Sequence, residues 1–293
     1  MLLDHFEADW VTQGSSPRTV AEYIRILRKF GFVEHPPTIE QARAHILLRQ
    51  KDGVTDQTVL AEVRALKAYS RWWANTMKRS DPLEALPFPK VSASPPGPIA
   101  TTKDINTLLR AFEPTKVIDR TARTHHYDAP FEMLRVRCIV VMLRDTGARR
   151  GELANLKLSD IDMVQRMILF RDTKNGDSRK VPMSRHLHLE LYRYLEVRKD
   201  HPHAAMKNVF IGTQGALQPR GIAHVLEQAC AKAGVRISCH QFRRRFSYEW
   251  AKNQGHDDTL RLIAGWKDDR MPSRYRQELA RELAFEELKR IVG

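Results

Sequence analysis

Apolar side chains in the first 85 residues return every three or four positions, the repeat of a helix with one buried face. Ser16-Pro17 supplies an N-cap and a first-turn proline. Val20, Tyr23, Ile24, Leu27 and Phe30 then follow on one stripe that ends at Gly31. Thr38 opens a second stretch with Ile39, Ala42, Ile46 and Leu47 facing inward, closed by Asp52-Gly53. A third runs over 58–76 through Val59, Val63, Leu66, Ala68, Tyr69 and Trp73, and residues 4–10 allow a short fourth. The pattern predicts four antiparallel helices.

That rhythm stops at Pro87, Pro89, Pro95, Pro96 and Pro98, a cluster that can continue neither a helix nor a central strand. A linker is expected at about 86–99, dividing a helical domain of 1–97 from a larger domain of 98–293. In the larger part the spacing predicts helices over 102–112, 131–145, 187–197, 221–233, 241–253 and 257–263, with a short one from Gly151 after a break at Gly147. Residues 167–171 and 180–183 alternate as strands around Asn175-Gly176-Asp177, a hairpin composition. A last amphipathic helix over 277–291 carries Leu279, Leu283, Phe285, Leu288 and Ile291. The expected fold class is mainly α with a small antiparallel β-hairpin: a helical domain, then a mixed α+β domain.

Composition narrows the chemistry. The 293 residues are 42% hydrophobic and 29% charged, as in a soluble globular protein. Lys and Arg number 49 against 35 Asp and Glu, a formal charge of +14. The excess is uneven: 13 against 11 through residue 97, and 36 against 24 beyond it. This points to a polyanionic partner, nucleic acid before membrane. No apolar run approaches the ~20 residues of a membrane span, and Met1-Leu2-Leu3-Asp4-His5 is no secretory signal. Cys138, Cys230 and Cys239 are scattered, which excludes a disulfide scaffold and fits a reducing compartment. There is no CxxC, and His186-x-His188 and His201-x-His203 lack a third ligand, so those histidines read as exposed and no metal site is expected. No glycine-rich phosphate loop occurs, and no cofactor is expected.

Several polar groups sit oddly for a plain core. Arg149-Arg150 follow the Gly147 break, and Lys174 lies at the hairpin tip. His240 and Arg243 share one helix face at i, i+3, and Tyr275 stands among Arg274 and Arg276 in what reads as a basic loop. Singly, each has an ordinary structural explanation as solvated or paired surface.

In order along the chain, the set resembles the tyrosine recombinase/integrase family, the phage-integrase-like site-specific recombinases. Asp145-Thr146-Gly147-Ala148-Arg149-Arg150-Gly151-Glu152-Leu153 is similar to the family's first arginine box, with the catalytic arginine at Arg149. The segment from Thr173-Lys174-Asn175 to Val181-Pro182 resembles its hairpin lysine motif, His240-x-x-Arg243 its second box, and Ala264-Gly265-Trp266 with Tyr275 nine residues on its last box. Ser16, Thr19, Tyr23, Leu27 and Phe30 resemble its helical core-binding domain. Trp266 departs from the histidine most members carry there.

The resemblance implies a C-shaped clamp on duplex DNA with paired inverted half-sites, in the cytoplasm of a prokaryotic or phage-infected cell. It gives Tyr275 the role of nucleophile, Arg149 and Arg243 the phosphate clamp, Lys174 the general acid and His240 acid–base work. Indole N–H is a donor only, so Trp266 can hydrogen-bond the phosphate but shuttle no proton. Glu152 would orient an active-site base or an arginine, or serve only as helix N-terminal charge. The last helix would dock on a neighbouring protomer in a homotetramer, with packing on its own domain as the alternative, and an accessory directionality factor enters as a further partner. The chain opens on the helical domain, which predicts a simple integrase without an arm-binding domain, serving a phage or other mobile element through a 3′-phosphotyrosyl intermediate and a Holliday junction. Tyr248, near Phe246 and Trp250, is the rival tyrosine and reads as packing. Arg43, Arg64, Lys67 and Arg71 are candidates for the DNA face of the helical domain, with solvated helix charge as the alternative. Two other functions stay open: a catalytically silent DNA-binding protein, and a type IB topoisomerase-like enzyme.

Overall fold

The computed structural model describes residues 2–91, 97–114, 128–171 and 178–292. The chain divides into two compact units, Met1–Pro95 and Pro96–Gly293.

The first unit is built from α1 (Leu2–Thr12), α2 (Pro17–Lys29), α3 (Ile39–Lys51) and α4 (Asp56–Met77). Ser16, Thr38 and Thr55 cap the last three through their hydroxyls. Phe6, Val20, Leu27, Val59, Val63, Leu66 and Tyr69 are wholly buried in its core. Each such side chain contributes roughly 1.5–3 kcal/mol, so α4, which supplies most of them, organises the unit. Two expectations fail here. Leu47 is 66% exposed rather than inward; His45 takes the inward place instead, bonded at 3.0 Å to the buried Glu62, which also receives Arg49. Lys67 is buried, and its ammonium donates to the carbonyls of Leu83, Glu84 and Leu86 at 2.8, 3.2 and 2.5 Å. It ties α4 to the turn that follows and is no DNA-facing charge. Arg43, Arg64 and Arg71 are exposed.

The second unit contains α5 (Thr102–Ala111), α6 (Asp128–Thr146), α7 (Arg150–Asn155), β1 (Ile161–Asp162), β2 (Met167–Arg171), β3 (Ser178–Pro182) and α8 (Arg185–Arg198). It continues with β4 (Ile211–Gly212), β5 (Gly215–Ala216), α9 (Pro219–Ala233), α10 (Cys239–Lys252), α11 (Asp257–Ala264) and α12 (Arg270–Val292). Helix α6 is its axis: Cys138 to Leu143 are all fully buried, and α8, α9 and α10 pack around it. Such a run, apolar on every side, belongs at the centre of a domain. Among the described residues, β1, β2 and β3 form one antiparallel sheet in that order, and β4 and β5 pair separately. In the main sheet Ile168 pairs with Val181 and Phe170 with Arg179. Ile168, Phe170 and Val181 are buried, so Arg179 lies on the inward face.

Lys174, expected at the hairpin tip, lies outside the described residues. Two differences bear on the site. Tyr275 is not in a loop: α12 begins at Arg270, seven residues before the expected Gln277. Pro272 sits in its first turn, where a missing N–H costs nothing. His186, His188, His201 and His203 are half-buried, not exposed. His188 Nε2 lies 3.1 Å from the Met163 carbonyl and His203 Nε2 3.0 Å from the Thr213 carbonyl. The His201 ring stacks on Phe131. No helix among the described residues is long and apolar enough to cross a membrane.

Candidate active site

Two glycine turns build the site. The first ends α6, where Gly147 has φ +58° and a Cβ would lie 2.6 Å from Phe246 Cδ1. Only glycine fits there. The turn sends the chain into α7, with Arg149 at its N-cap. The second ends α11, where Gly265 has φ +64°. A Cβ on Gly265 would meet Arg179 Cδ at 3.2 Å and Arg149 Nη1 at 3.4 Å.

The last carbonyls of a helix have no partner within it, and its C-terminus carries partial negative charge. At the end of α11 three consecutive carbonyls each accept from a different arginine. Ile263 takes Arg179 Nη1, Ala264 takes Arg243 Nη2 at 2.5 Å, and Gly265 takes Arg149 Nη2 at 2.6 Å. The other terminal nitrogen of Arg243 donates to the Gly147 carbonyl at 2.8 Å. Among the described residues, the Glu152 carboxylate serves this cluster. Glu152 accepts from Arg149 Nη1 and from the Arg149 backbone N–H, both at 2.8 Å, and from Arg179 Nη2 at 2.7 Å. Glu152 is thus both the α7 capping group and an arginine holder.

Among the described residues, three guanidiniums meet here around the Glu152 carboxylate. Arg243 is only 5% exposed, and burial, then the Arg149 charge, push it down to about 9, so it is still a cation at neutral pH. Burial by itself would raise the Glu152 carboxyl, but Arg179 and Arg149 hold it below the usual carboxylate range. An anion arriving here would meet positive charge that is already placed.

Trp266 and Tyr275 complete the group. Arg243 Cζ lies 5.0 Å from the Trp266 ring centroid, and Trp266 stacks on Tyr275. Tyr275 is 3% exposed. Burial raises its phenol, while Arg244 and then Arg243 pull the other way, favouring phenolate. His240 is exposed in the first turn of α10, one turn from Arg243, after the Ser238 N-cap. Partial desolvation, then Arg244 and Arg243, lower it below its ordinary value, so it is neutral at neutral pH. Arg149, Arg150, Arg236, His240 and Arg243 line a cleft of about 1110 Å³.

The second unit therefore gathers Arg149, Glu152, Arg243, Trp266 and Tyr275, with His240 beside them. Tyr248, the rival, is buried and its hydroxyl donates to Glu282 on α12, which together with burial pushes it up to about 12. Sequence reasoning missed Arg179 and Arg244. A signal for Arg179 existed: it falls two positions before Val181, on the face the strand buries. Arg244 carried none, being one arginine in a run of three. Among the described residues no cluster of His, Cys, Asp and Glu could hold a metal ion.

The phage integrase family profile matches residues 101–282. Tyrosine recombinase XerA of Thermococcus kodakarensis is 27% identical over 246 residues, 84% of this chain and 79% of the relative. A lambda integrase dimer bound to a COC′ core site superposes with a TM-score of 0.67 at 18% identity, covering 94% of each chain. A lambda integrase tetramer bound to a Holliday junction gives 0.65 at 16%, covering 94% of this chain and 76% of the other. The fold is shared with those structures, and the family match spans the whole cluster from Arg149 to Tyr275: the chain belongs to the phage integrase family and is a tyrosine-type site-specific recombinase.

Proposed function

We propose that this chain cuts and rejoins duplex DNA at specific sites through Tyr275. The observation that carries the reading is the clamp. Arg149 and Arg243 are anchored to adjacent carbonyls, Gly265 and Ala264, and Arg243 lies against the Trp266 ring that stacks on the buried Tyr275. Guanidiniums fixed in this way suit the nonbridging oxygens of a phosphodiester, and act most where charge builds in the phosphorane.

In the forward step the Tyr275 oxygen attacks phosphorus and gives its proton to His240. The bond from phosphorus to the 5′-oxygen breaks, leaving a 3′-phosphotyrosyl link. Lys174 is the group we assign to protonate the leaving 5′-oxygen. Attack by the 5′-hydroxyl of a partner strand reverses these events and restores the phenol. One phosphodiester replaces another at each step, so the link stores what rejoining needs. Trp266 orients Tyr275 and offers its N–H to the phosphate. Glu152 holds Arg149.

The finer reading is integration or excision of a phage or other mobile element, inside a prokaryotic cell. It uses paired inverted half-sites and a homotetramer on a Holliday junction. Supporting it are the tetrameric lambda integrase neighbour and the free end of α12, where Leu283, Phe285, Leu288 and Ile291 are each more than half exposed. We assign that stripe to a neighbouring protomer, and a DNA grip to the exposed Arg43, Arg64 and Arg71 of the first unit.

The test is covalent trapping. The protein is incubated with nicked duplexes that include DNA flanking its own gene, then denatured in SDS. An adduct that disappears in Tyr275→Phe and persists in Tyr248→Phe is the expected result. Tight binding with no adduct would overturn the reading in favour of a silent DNA-binding protein. Relaxation of plasmids without any target site would favour a topoisomerase.

A further inference from the structure

Arg179 occupies an unusual place for a charge. It pairs with Phe170 on the inward face of the sheet, and its side chain is 9% exposed. A buried guanidinium is costly unless its donors find acceptors, and an apolar side chain of similar volume would hold the strand as well. Its aliphatic and π contacts alone, with Cζ 4.7 Å from the Phe170 centroid, do not require an arginine.

Its polar contacts do. Nη2 reaches Glu152 Oε2 at 2.7 Å, and Nη1 reaches the Ile263 carbonyl. These acceptors belong to two structures that, among the described residues, hold Arg149. Glu152 Oε2 is the atom that also caps the Arg149 backbone N–H, while Oε1 takes Arg149 Nη1. The Gly265 carbonyl, two residues after Ile263, takes the other Arg149 nitrogen. Both arginine side chains pass the same glycine, where a Cβ would contact each. Arg179 is thus a brace from β3 to these two supports of Arg149, and Arg149 lies on neither β3 nor α11.

We propose that Arg179 is a positioning residue for strand cleavage, which locks Glu152 to the end of α11 and through them sets the Arg149 guanidinium against the scissile phosphate. This rests on the reading of Arg149 as a phosphate clamp.

The experiment is single-turnover adduct formation on the nicked duplex that the wild type attacks, with DNA raised to saturation. The variants are Arg179→Met, which keeps the apolar stem over Phe170, Arg179→Lys, Glu152→Gln, and Arg179→Met with Glu152→Gln. Arg179→Met is expected to lower the maximal rate by about 30- to 100-fold while half-saturating DNA changes by less than about threefold. Arg179→Lys should recover about fivefold or more, and it decides the matter if Arg179→Met does not fold. Because both residues act as one unit, Arg179→Met should cost less than about threefold further on top of Glu152→Gln. Full additivity, or equal losses in rate and DNA affinity, would make Arg179 a direct DNA contact and overturn the proposal. An unchanged rate would reduce it to strand packing.

Protection against thermal unfolding by inorganic phosphate gives a readout that needs no cleavage. The phosphate-induced rise in melting temperature should vanish in Arg149→Ala and shrink by about half in Arg179→Met. A full rise in Arg179→Met overturns the proposal. Absence of any wild-type adduct, with that phosphate pattern intact, would remove the Tyr275 chemistry and leave the brace standing.

Discussion

The indole of Trp266 and the phenol of Tyr275 lie nearly parallel, with ring planes 17° apart and centroids 5.9 Å apart. The indole also has the Arg243 guanidinium 5.0 Å from its centroid. One indole ring therefore meets both the charge and the hydroxyl-bearing ring, which a histidine would do with less area. If stacking is what Trp266 supplies, Trp266→Phe should keep the adduct-forming rate within about threefold, and Trp266→Ala should lose about tenfold, the worth of one aromatic pair. A large loss in Trp266→Phe, measured by the trapping assay, would shift its role to the indole N–H.

Gly265→Ala tests the turn. The left-handed φ and the contacts with Arg179 and Arg149 act together. The variant should unfold about 1–3 kcal/mol more easily in urea and form adduct more slowly than that loss of folded protein explains.

Lys67 and its neighbours on α4 separate structure from DNA contact. Lys67→Met leaves three carbonyls without their cation and should cost about 2–4 kcal/mol of stability in denaturant unfolding. Arg64→Ala and Arg71→Ala should hold stability within about 0.5 kcal/mol. Each should weaken DNA binding and reduce the slope of log affinity against log salt by about 1.

The Glu152 cluster makes stability depend on acid. Its carboxyl titrates below the ordinary 4.5 in the folded protein, despite burial, because of Arg179 and Arg149. The unfolded chain therefore takes up the proton first. The cluster's contribution is complete above about pH 4.5, and falls away as pH drops through the lower folded value. Unfolding free energy measured from pH 7 to pH 3 should fall less steeply in Glu152→Gln.

His240 gives a second pH dependence, of opposite readout. Its folded value lies below the ordinary 6.5, so the neutral base is present at pH 7 and above. Adduct formation should be flat from about pH 7 to 9 and decline below about 6.5 as the imidazole charges. In His240→Ala the proton must go to solvent. Tyr275 titrates above its ordinary 10.0, so the rate should then climb with pH across that whole range.

Much of this architecture was legible in the sequence because helix periodicity and caps are local. Val20 to Phe30 declared α2, and Thr38 declared the start of α3 through its own hydroxyl. Leu47 was misplaced because the apolar stripe cannot foresee a buried His45–Glu62 bond between two helices. Lys67 looked like a surface charge because its acceptors lie 16 to 19 residues away. The site residues were legible as an ordered set, Arg149 to Tyr275, each known by type and spacing. Their supports were not. Nothing local marks Ile263, Ala264 and Gly265 as acceptors for three arginines drawn from β3, α10 and the α7 N-cap. Pro272 reads as a breaker and so puts Tyr275 in a loop, although the first turn of a helix tolerates proline.

That α12 runs unbroken from Arg270 to Val292 has a mechanical consequence. The phenol sits near its root and the exposed apolar stripe near its tip. Ile291 is about 24 Å along the axis from Tyr275 at ~1.5 Å per residue. A rod of this kind is a lever: a small swing of the tip, gripped or released by whatever covers it, becomes a rotation at the root. A partner that took hold of the tip would therefore load the same rod that carries the phenol, with the Tyr248–Glu282 bond as a fulcrum between them.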